Sequence, residues 1–169
     1  MQEKNITLES ADATNPPEIN GSSGNSGVNG SCIVVQTPLG DPNIQPTIKN
    51  FVLTGGKGTR VTSTTENTKT VGGGILVLNA DLNAEGNKLI GNGSDVGIDE
   101  AGECIGGGGG AVFAGDDGLA LGDGPPDFPS NYNPNRNRGS AINLKNTIFS
   151  NNSSCGGGGN TVQAGDDGL

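Results

Sequence analysis

Two pairs of aspartates are the side chains whose type and spacing could do chemistry. Asp116 and Asp117 lie in one copy of the hexamer AGDDGL, and Asp166 and Asp167 lie in a second copy. Clustered carboxylate oxygens are the ligands that hard cations such as Ca²⁺ prefer, and the same charges would repel one another without a cation. The four aspartates are therefore the predicted metal ligands, with Ca²⁺ as the predicted ion. The alternative is that each DDG segment is a solvated turn.

The residue types present give little support to other chemistry. Histidine, the usual general base and the commonest metal ligand, is absent from the sequence. The segment GGKGT lacks the Ser or Thr directly after Lys57 that a phosphate-binding loop requires. A net charge of −9 without a basic run predicts no nucleic-acid partner. No apolar stretch of about 18 residues occurs, so no membrane span is predicted.

Three cysteines, Cys32, Cys104 and Cys155, cannot all pair within one chain. Cys104 and Cys155 each precede a copy of AGDDGL, so they occupy matching places in a repeat. Stacked parallel strands lie about 4.8 Å apart, which is within the Cα range of a disulfide. Side chains in such a stack point the same way, however, which favours two free thiols over a Cys104–Cys155 bridge.

The elements that must position these groups are short strands. Glycine accounts for 32 of the 169 residues, while 30% of the chain is hydrophobic and 3% is aromatic. The apolar residues fall in short β-branched clusters, such as SCIVVQT at 31–37 and GGGILVL at 72–78. This pattern predicts strands joined by tight turns rather than a disordered chain.

One segment occurs three times, as IKNFVLTGG, EGNKLIGNG and LKNTIFSNN, each followed at variable distance by a glycine run and a further strand. The third position is asparagine, and the fifth and sixth are apolar: Asn50, Asn87 and Asn146, with Val52–Leu53, Leu89–Ile90 and Ile148–Phe149. Asparagine tolerates the left-handed conformation, and stacked amides can hydrogen-bond in a column. We expect one asparagine column, with an apolar residue of each pair in the core; the alternative is three unrelated turn asparagines.

Strands of constant length separated by inserts of unequal length are typical of a solenoid. The sequence therefore predicts a single all-β domain over residues 1–169, with about four to five stacked turns. The prolines of the insertion at 121–139 forbid a ladder strand, so we expect a projecting loop there. Met1 is not followed by a signal peptide, so we expect an excised or mature fragment. Neither end offers a capping element, so we also expect fraying beyond about Gly156 and end-to-end self-association.

The segments KNITLES, CIVVQT, TIKNFVLTGG, GGGILVLNADL and AINLKNTIFSNN resemble the right-handed parallel β-helix repeats of bacterial surface proteins. These proteins belong to the pectin-lyase-like superfamily, which includes polymorphic-outer-membrane-protein-like chains, and the resemblance covers about residues 4–163. It implies a right-handed β-helix at the cell surface or secreted. The implied function is a structural or adhesive module that binds carbohydrate, a cell-surface ligand or Ca²⁺.

The alternative function is the partial body of a polysaccharide-active enzyme, since a fold does not select its activity. Glycoside hydrolases of this superfamily carry a GDD motif, which occurs at 115–117 and 165–167, but their other motifs are missing here. Pectate-lyase-like enzymes use Ca²⁺ and a basic residue, for which Arg136 and Arg138 are the nearest candidates. We assign no catalytic residue. A sheet-lined groove with acidic, basic and aromatic side chains would favour the enzyme, and polar variety confined to loops would favour the module.

Overall fold

The computed structural model describes residues 5–23, 30–37, 44–63, 68–94, 108–115, 119–121, 140–154 and 162–164. Within these ranges the chain is all-β, as predicted, and the short 3-10 helix Gly21–Ser23 is the helical element. No helix in the described ranges is long and apolar enough to cross a membrane. The strands are β1 (Thr7–Glu9), β2 (Glu18–Asn20), β3 (Ile33–Gln36), β4 (Thr47–Lys49), β5 (Val52–Thr54), β6 (Thr59–Ser63), β7 (Thr68–Val71), β8 (Ile75–Leu78), β9 (Asp81–Glu85), β10 (Lys88–Ile90), β11 (Val112–Gly115), β12 (Leu119–Leu121), β13 (Ala141–Lys145), β14 (Ile148–Ser150) and β15 (Val162–Ala164).

Three of the four sheets are parallel and have four strands each. Sheet A has the order β1-β4-β9-β13, sheet B the order β2-β5-β10-β14, and sheet C the order β3-β8-β11-β15. The chain therefore visits the three sheets in turn, four times over. We call the four sets strand triplets 1 to 4: β1–β2–β3, β4–β5–β8, β9–β10–β11 and β13–β14–β15. Each triplet pairs in parallel with the next one in all three sheets.

The core lies between the inner faces of these three sheets. In β9 every second side chain is buried, because successive residues of a strand point to opposite faces. The inner residues form one cluster that includes Leu53, Ile75, Leu82 and Leu89, none of which has any exposed surface. Thin apolar rows of this kind account for a folded chain with so small a hydrophobic fraction.

The prediction that one apolar residue of each pair lies in the core is confirmed, although the second pair is shifted by one residue against the other two. Leu89 lies opposite Leu53 on one side and Phe149 on the other, so one residue of each predicted pair shares an inward row. Leu53 and Leu89 are fully buried, and Phe149 packs against the same core cluster. Ile90, by contrast, lies opposite Thr54 and Ser150 in an outward row.

The predicted asparagine column is wrong by one residue in its second member. The strand register places Gly86, not Asn87, level with Asn50 and Asn146. These three residues share a left-handed backbone, with φ of 66°, 60° and 50° respectively. Glycine and asparagine are the residues that adopt this conformation at lowest cost. The residues of this column therefore share a left-handed backbone conformation rather than an amide side chain. Aligning the three segments by their asparagines misses Gly86 for this reason.

Asn87 has a different function, which we call the asparagine clamp. Its side chain is fully buried, where its Oδ1 accepts from the Phe51 amide at 3.0 Å and its Nδ2 donates to the Ile48 carbonyl at 2.9 Å. Asn92 and Asn152 each make an equivalent pair of bonds to the preceding triplet. Each clamp thus satisfies one backbone amide and one backbone carbonyl of the preceding triplet.

A fourth, antiparallel sheet was not predicted. Sheet D has the order β12-β6-β7 and covers the outer face of sheet C. Val61 and Val71 from sheet D bury Leu76, Leu78 and Phe113, which point outward from sheet C, in a second apolar cluster. Strands β8 and β11 are consequently buried on both faces. Beyond Leu121, the insertion predicted to project as a loop lies outside the described residues.

Candidate functional site

The outer face of sheet A carries two rows of polar side chains. Within each row the side chains lie opposite one another on adjacent strands. Its strands have the sequences TLE, TIK, DLNAE and AINLK, in which a small polar residue, an apolar residue and a charged residue follow in order. The central apolar residue points inward, so the residues on either side of it must point outward. In register, the first outward row is Thr7, Thr47, Asn83 and Asn143, and the second is Glu9, Lys49, Glu85 and Lys145.

The first row offers hydroxyls and amides. Asn143 Nδ2 donates to Asn83 Oδ1 at 3.4 Å, which orients the two amides along the row. Each amide retains further donor and acceptor capacity, because an Asn side chain can make up to about four hydrogen bonds.

The second row alternates in charge. Glu85 forms ion pairs with Lys145 at 2.8 Å and with Lys49 at 3.4 Å, through its two carboxylate oxygens. The hydrogen bond from Lys145, together with its charge, lowers the pKa of Glu85 below its ordinary 4.5. The same bond raises the pKa of Lys145 above its ordinary 10.5. At neutral pH this lysine is therefore a cation engaged with a carboxylate and a poor proton acceptor.

Between these rows lies an open groove of about 340 Å³. Its lining residues are Thr7, Thr47, Lys49, Asn83, Ala84, Glu85, Asn143 and Lys145. They present hydroxyl, amide, ammonium and carboxylate groups at the spacing of the strands, about 4.8 Å. No aromatic side chain is among these eight residues. No group of three or more potential metal ligands occurs among the described residues.

The predicted metal ligands Asp116, Asp117, Asp166 and Asp167 lie outside the described residues. The strands that lead to them are neighbours, since β11 and β15 pair in parallel with Ala114 opposite Ala164. Arg136 and Arg138, considered for a lyase, also lie outside the described ranges.

Of the three cysteines, Cys104 and Cys155 fall outside the described residues, and Cys32 is a free thiol. The Cys32 Sγ lies 3.3 Å from the Thr54 carbonyl and 3.4 Å from Asn92 Oδ1, next to an asparagine clamp. Burial raises the pKa of this thiol, which keeps it protonated and able to donate.

The groove was not found from the sequence, although a signal for it exists. The segments TLE, TIK, NAE and NLK share one polar–apolar–charged pattern, and three of them lie just before a left-handed turn residue. Reading these segments as one sheet requires knowing that β9 pairs with both β4 and β13, across gaps of unequal length.

No family model, curated protein sequence or solved structure matches this chain.

Proposed function

We propose that the chain is a section of a right-handed parallel β-helix that acts as a structural or adhesive module and binds carbohydrate along the groove of sheet A. The β-helix is supported by the order in which the chain visits sheets A, B and C and by their shared register. The carbohydrate proposal rests on one observation, the groove lined by two level rows of hydroxyl, amide and charged side chains.

The hydrogen-bonding groups of this lining suit a carbohydrate ligand. Sugar hydroxyls both donate and accept hydrogen bonds, and the groove offers both kinds of partner within one short span. The row of Thr7, Thr47, Asn83 and Asn143 extends over four strands, or roughly 14 Å, so it suits an extended chain of hydroxyl-bearing units. The second outward row holds two glutamates and two lysines, Glu9, Lys49, Glu85 and Lys145, so its charges sum to zero and the groove has no strong preference of sign.

The location and the cation site are proposals on other grounds. A secreted or cell-surface location follows from the resemblance to bacterial surface β-helices.

For the four aspartates, millimolar Ca²⁺ is expected to raise the melting temperature, because a ligand of the folded state stabilises it by mass action. Replacing Asp116 and Asp166 by Asn is expected to abolish that rise, and an unchanged melting curve would favour the solvated turns.

One observation favours the second candidate, the partial body of a polysaccharide-active enzyme. Acidic and basic side chains do cluster in a sheet-lined groove, at Lys49, Glu85 and Lys145. A lyase needs a basic residue that is free to accept a proton, whereas the Lys145 ammonium is engaged in an ion pair with Glu85 at 2.8 Å. We therefore rank binding above catalysis.

The binding proposal can be tested by affinity electrophoresis through gels that contain neutral or uronic-acid polysaccharides. The wild-type chain is expected to be retarded by at least one of them. The double substitution Asn83→Leu and Asn143→Leu removes both amides of the groove, and we expect about a tenfold loss of affinity, as for two hydrogen bonds to a partly solvated ligand.

Lys88→Leu is the matched control, because Lys88 lies in sheet B and not in the groove. It is expected to leave retardation unchanged. No retardation by any polysaccharide, or equal retardation of the double variant and wild type, would contradict the carbohydrate proposal. Release of unsaturated or reducing ends from the same polysaccharides would instead support the enzyme.

A further inference from the structure

The tripeptide Asn-Gly-Ser occurs three times in this chain, at 20–22, 29–31 and 92–94. Glycine has no Cβ, so after an asparagine it leaves the backbone nitrogen open to react with the asparagine side chain. Asn29 lies outside the described residues, whereas the copies at 20–22 and 92–94 lie within them. The same three residues therefore stand in two environments that can be compared.

Asn20 is the last residue of β2, and it lies in the outward row of sheet B, level with Thr54 and Ile90. Its side chain is exposed. The Asn20 Oδ1 accepts from the Ser22 amide at 2.9 Å and from the Ser22 hydroxyl at 2.6 Å. The Asn20 Nδ2 donates to the Glu18 carboxylate at 3.1 Å. Neighbouring polar groups therefore hold both ends of the side-chain amide.

The two donors of Ser22 are placed as in an oxyanion hole. When a nucleophile attacks the Asn20 Cγ, negative charge develops on Oδ1, and donors that already bind this oxygen stabilise the charge. The chain itself supplies the nucleophile, because the Gly21 nitrogen closes a five-membered ring with Cγ. The residues from Asn20 to Ser22 thus combine an amide, an accessible nitrogen and two oxyanion donors.

We propose that Asn20 is a site of self-catalysed deamidation in the folded chain, promoted by Ser22. The Gly21 nitrogen attacks the Asn20 Cγ, and the Cγ–Nδ2 bond breaks. The proton that the Gly21 nitrogen loses leaves with Nδ2 as ammonia, and the product is a cyclic imide. Water then opens the ring at either carbonyl, which leaves aspartate or isoaspartate at position 20. The reaction is independent of the groove, which lies on sheet A.

The copy at 92–94 is protected from the same reaction. Asn92 is 1% exposed and forms an asparagine clamp, in which Nδ2 donates to the Leu53 carbonyl at 2.9 Å. The Gly93 amide, which would have to attack, donates to the Gly56 carbonyl at 2.8 Å. Ring closure at Asn92 would therefore break both of these buried hydrogen bonds, and each costs free energy to leave unmade.

Deamidation of Asn20 alters the packing of the first two triplets. Aspartate at this position places a second carboxylate beside Glu18, and like charges repel. Isoaspartate adds one carbon to the backbone before Gly21, where space is short. Even a Cβ on Gly21 would lie 2.8 Å from the Gly56 Cα and 3.2 Å from the Cys32 Sγ. Isoaspartate therefore displaces Gly21 from these neighbours and uncovers the Cys32 thiol.

Peptide mapping by mass spectrometry tests the site, with the full chain incubated at neutral pH both folded and in concentrated urea. In urea the three copies differ little, so we expect similar rates at Asn20, Asn29 and Asn92. In the folded chain we expect Asn20 to react at least as fast as in urea. Asn92 is expected to react about tenfold or more slower than in urea, because its reaction requires local opening.

Ser22→Ala removes the hydroxyl donor to the Asn20 Oδ1 and keeps the backbone donor. In the folded chain we expect about a tenfold slower reaction at Asn20, a smaller effect than in a water-excluded oxyanion hole because the site is exposed. Ser22→Thr keeps a hydroxyl and is the matched control, expected to react like wild type. In urea both variants are expected to react like the wild-type chain.

Three results would each overturn the proposal. The first is a slower reaction at Asn20 in the folded chain than in urea. The second is an equal rate at Asn20 and Asn92 in the folded chain. The third is a folded Ser22→Ala variant that reacts as fast as wild type.

Alkylation of Cys32 provides a second readout. Before the reaction the half-buried thiol donates to the Thr54 carbonyl and to Asn92 Oδ1, so we expect slow labelling by iodoacetamide. Labelling of Cys32 is expected to rise in step with isoaspartate at position 20. In Asn20→Gln the ring would need six members, so we expect the amide to persist and labelling to stay slow. An equal rise in Asn20→Gln would contradict the assignment of this change to Asn20.

Discussion

At the residue scale, asparagine has two separate functions in this chain. Asn50 and Asn146 supply a left-handed turn conformation that glycine supplies equally well at Gly86. Asn87, by contrast, is needed for its side chain, which supplies one acceptor and one donor to buried backbone groups of the preceding triplet. Substitutions in the two positions should therefore have different consequences.

Asn87→Leu keeps the number and branching of the side-chain heavy atoms but leaves the Phe51 amide and the Ile48 carbonyl without their partner. Each unsatisfied buried group costs about 1–3 kcal/mol, so we expect a loss of about 3 kcal/mol and roughly a 10 °C lower Tm by calorimetry. Asn83→Leu, on the outer face of β9, is the control and is expected to change stability by less than about 0.5 kcal/mol. Equal losses in both variants would contradict the clamp.

The fourth triplet has Thr147 at the position of Asn87. Its hydroxyl lies within donating distance of the Ala84 carbonyl at 3.3 Å and of the Lys145 carbonyl at 3.2 Å. Thr147→Asn would add the missing acceptor for the Asn87 amide. We expect it to raise the free energy of unfolding by about 1 kcal/mol, measured by the same calorimetry. A lower Tm would show that the fourth triplet does not follow the geometry of the second and third.

The ion pair of Glu85 makes the stability of the fold depend on pH, with a loss of stability toward acid pH. The pKa of Glu85 is lowered by its hydrogen bond and ion pair with Lys145 and, to a lesser degree, by Lys49. The pair's contribution to stability is present above pH 4.5 and is lost as pH falls through the lowered pKa. In a carboxyl NMR titration, Lys145→Met is expected to move the Glu85 midpoint up toward its ordinary value. Lys57→Met should leave it in place, and an unmoved midpoint in Lys145→Met would contradict the pairing.

At the element scale, sheet D buries the outer face of the two middle strands of sheet C, β8 and β11. Leu76 and Val34 lie opposite each other in one outward row, yet Leu76 is fully buried and Val34 is 42% exposed. The difference arises because sheet D covers the middle strands of sheet C and leaves the edge strand β3 open.

We therefore expect truncation of Leu76 and of Val34, which lie in the same outward row, to lower the free energy of unfolding by unequal amounts. Leu76→Ala is expected to destabilise by about 2–5 kcal/mol, since it opens a cavity beneath Val61 and Val71. Val34→Ala, its neighbour on the open edge, is expected to cost less than about 1 kcal/mol. Urea denaturation of both variants gives their free energies of unfolding. Similar denaturation midpoints would mean that sheet D does not pack on sheet C.

Some elements could be predicted from the sequence and others could not. The inward row of Leu53, Leu89 and Phe149 was predictable, because its apolar spacing depends on short segments alone. Sheet D was missed because the strand TRVTS pairs with a segment nearly sixty residues away, at Leu119. The sequence predicted tight turns between the strands, and the structure adds a second reason for glycine at Gly73, where a Cβ would overlap the backbone of Gly93 and Gly110.

At the scale of the whole molecule, the groove depends on one arrangement: four strands of sheet A, in register, on one outer face. It needs Thr7, Thr47, Asn83 and Asn143 side by side. The same arrangement explains why the chain tolerates inserts of unequal length. Only the strands are held in register, so the connections between them can vary.

Interstrand nuclear Overhauser effects in an isotope-labelled chain test this arrangement most directly. The account predicts backbone contacts between Thr7 and Thr47, between Thr47 and Asn83, and between Asn83 and Asn143, because these pairs face each other across adjacent parallel strands. It predicts none between Thr7 and Asn143 in the dilute monomer. A shifted register, such as Asn83 contacting Leu144 in place of Asn143, or contacts that place β13 beside β4, would contradict it.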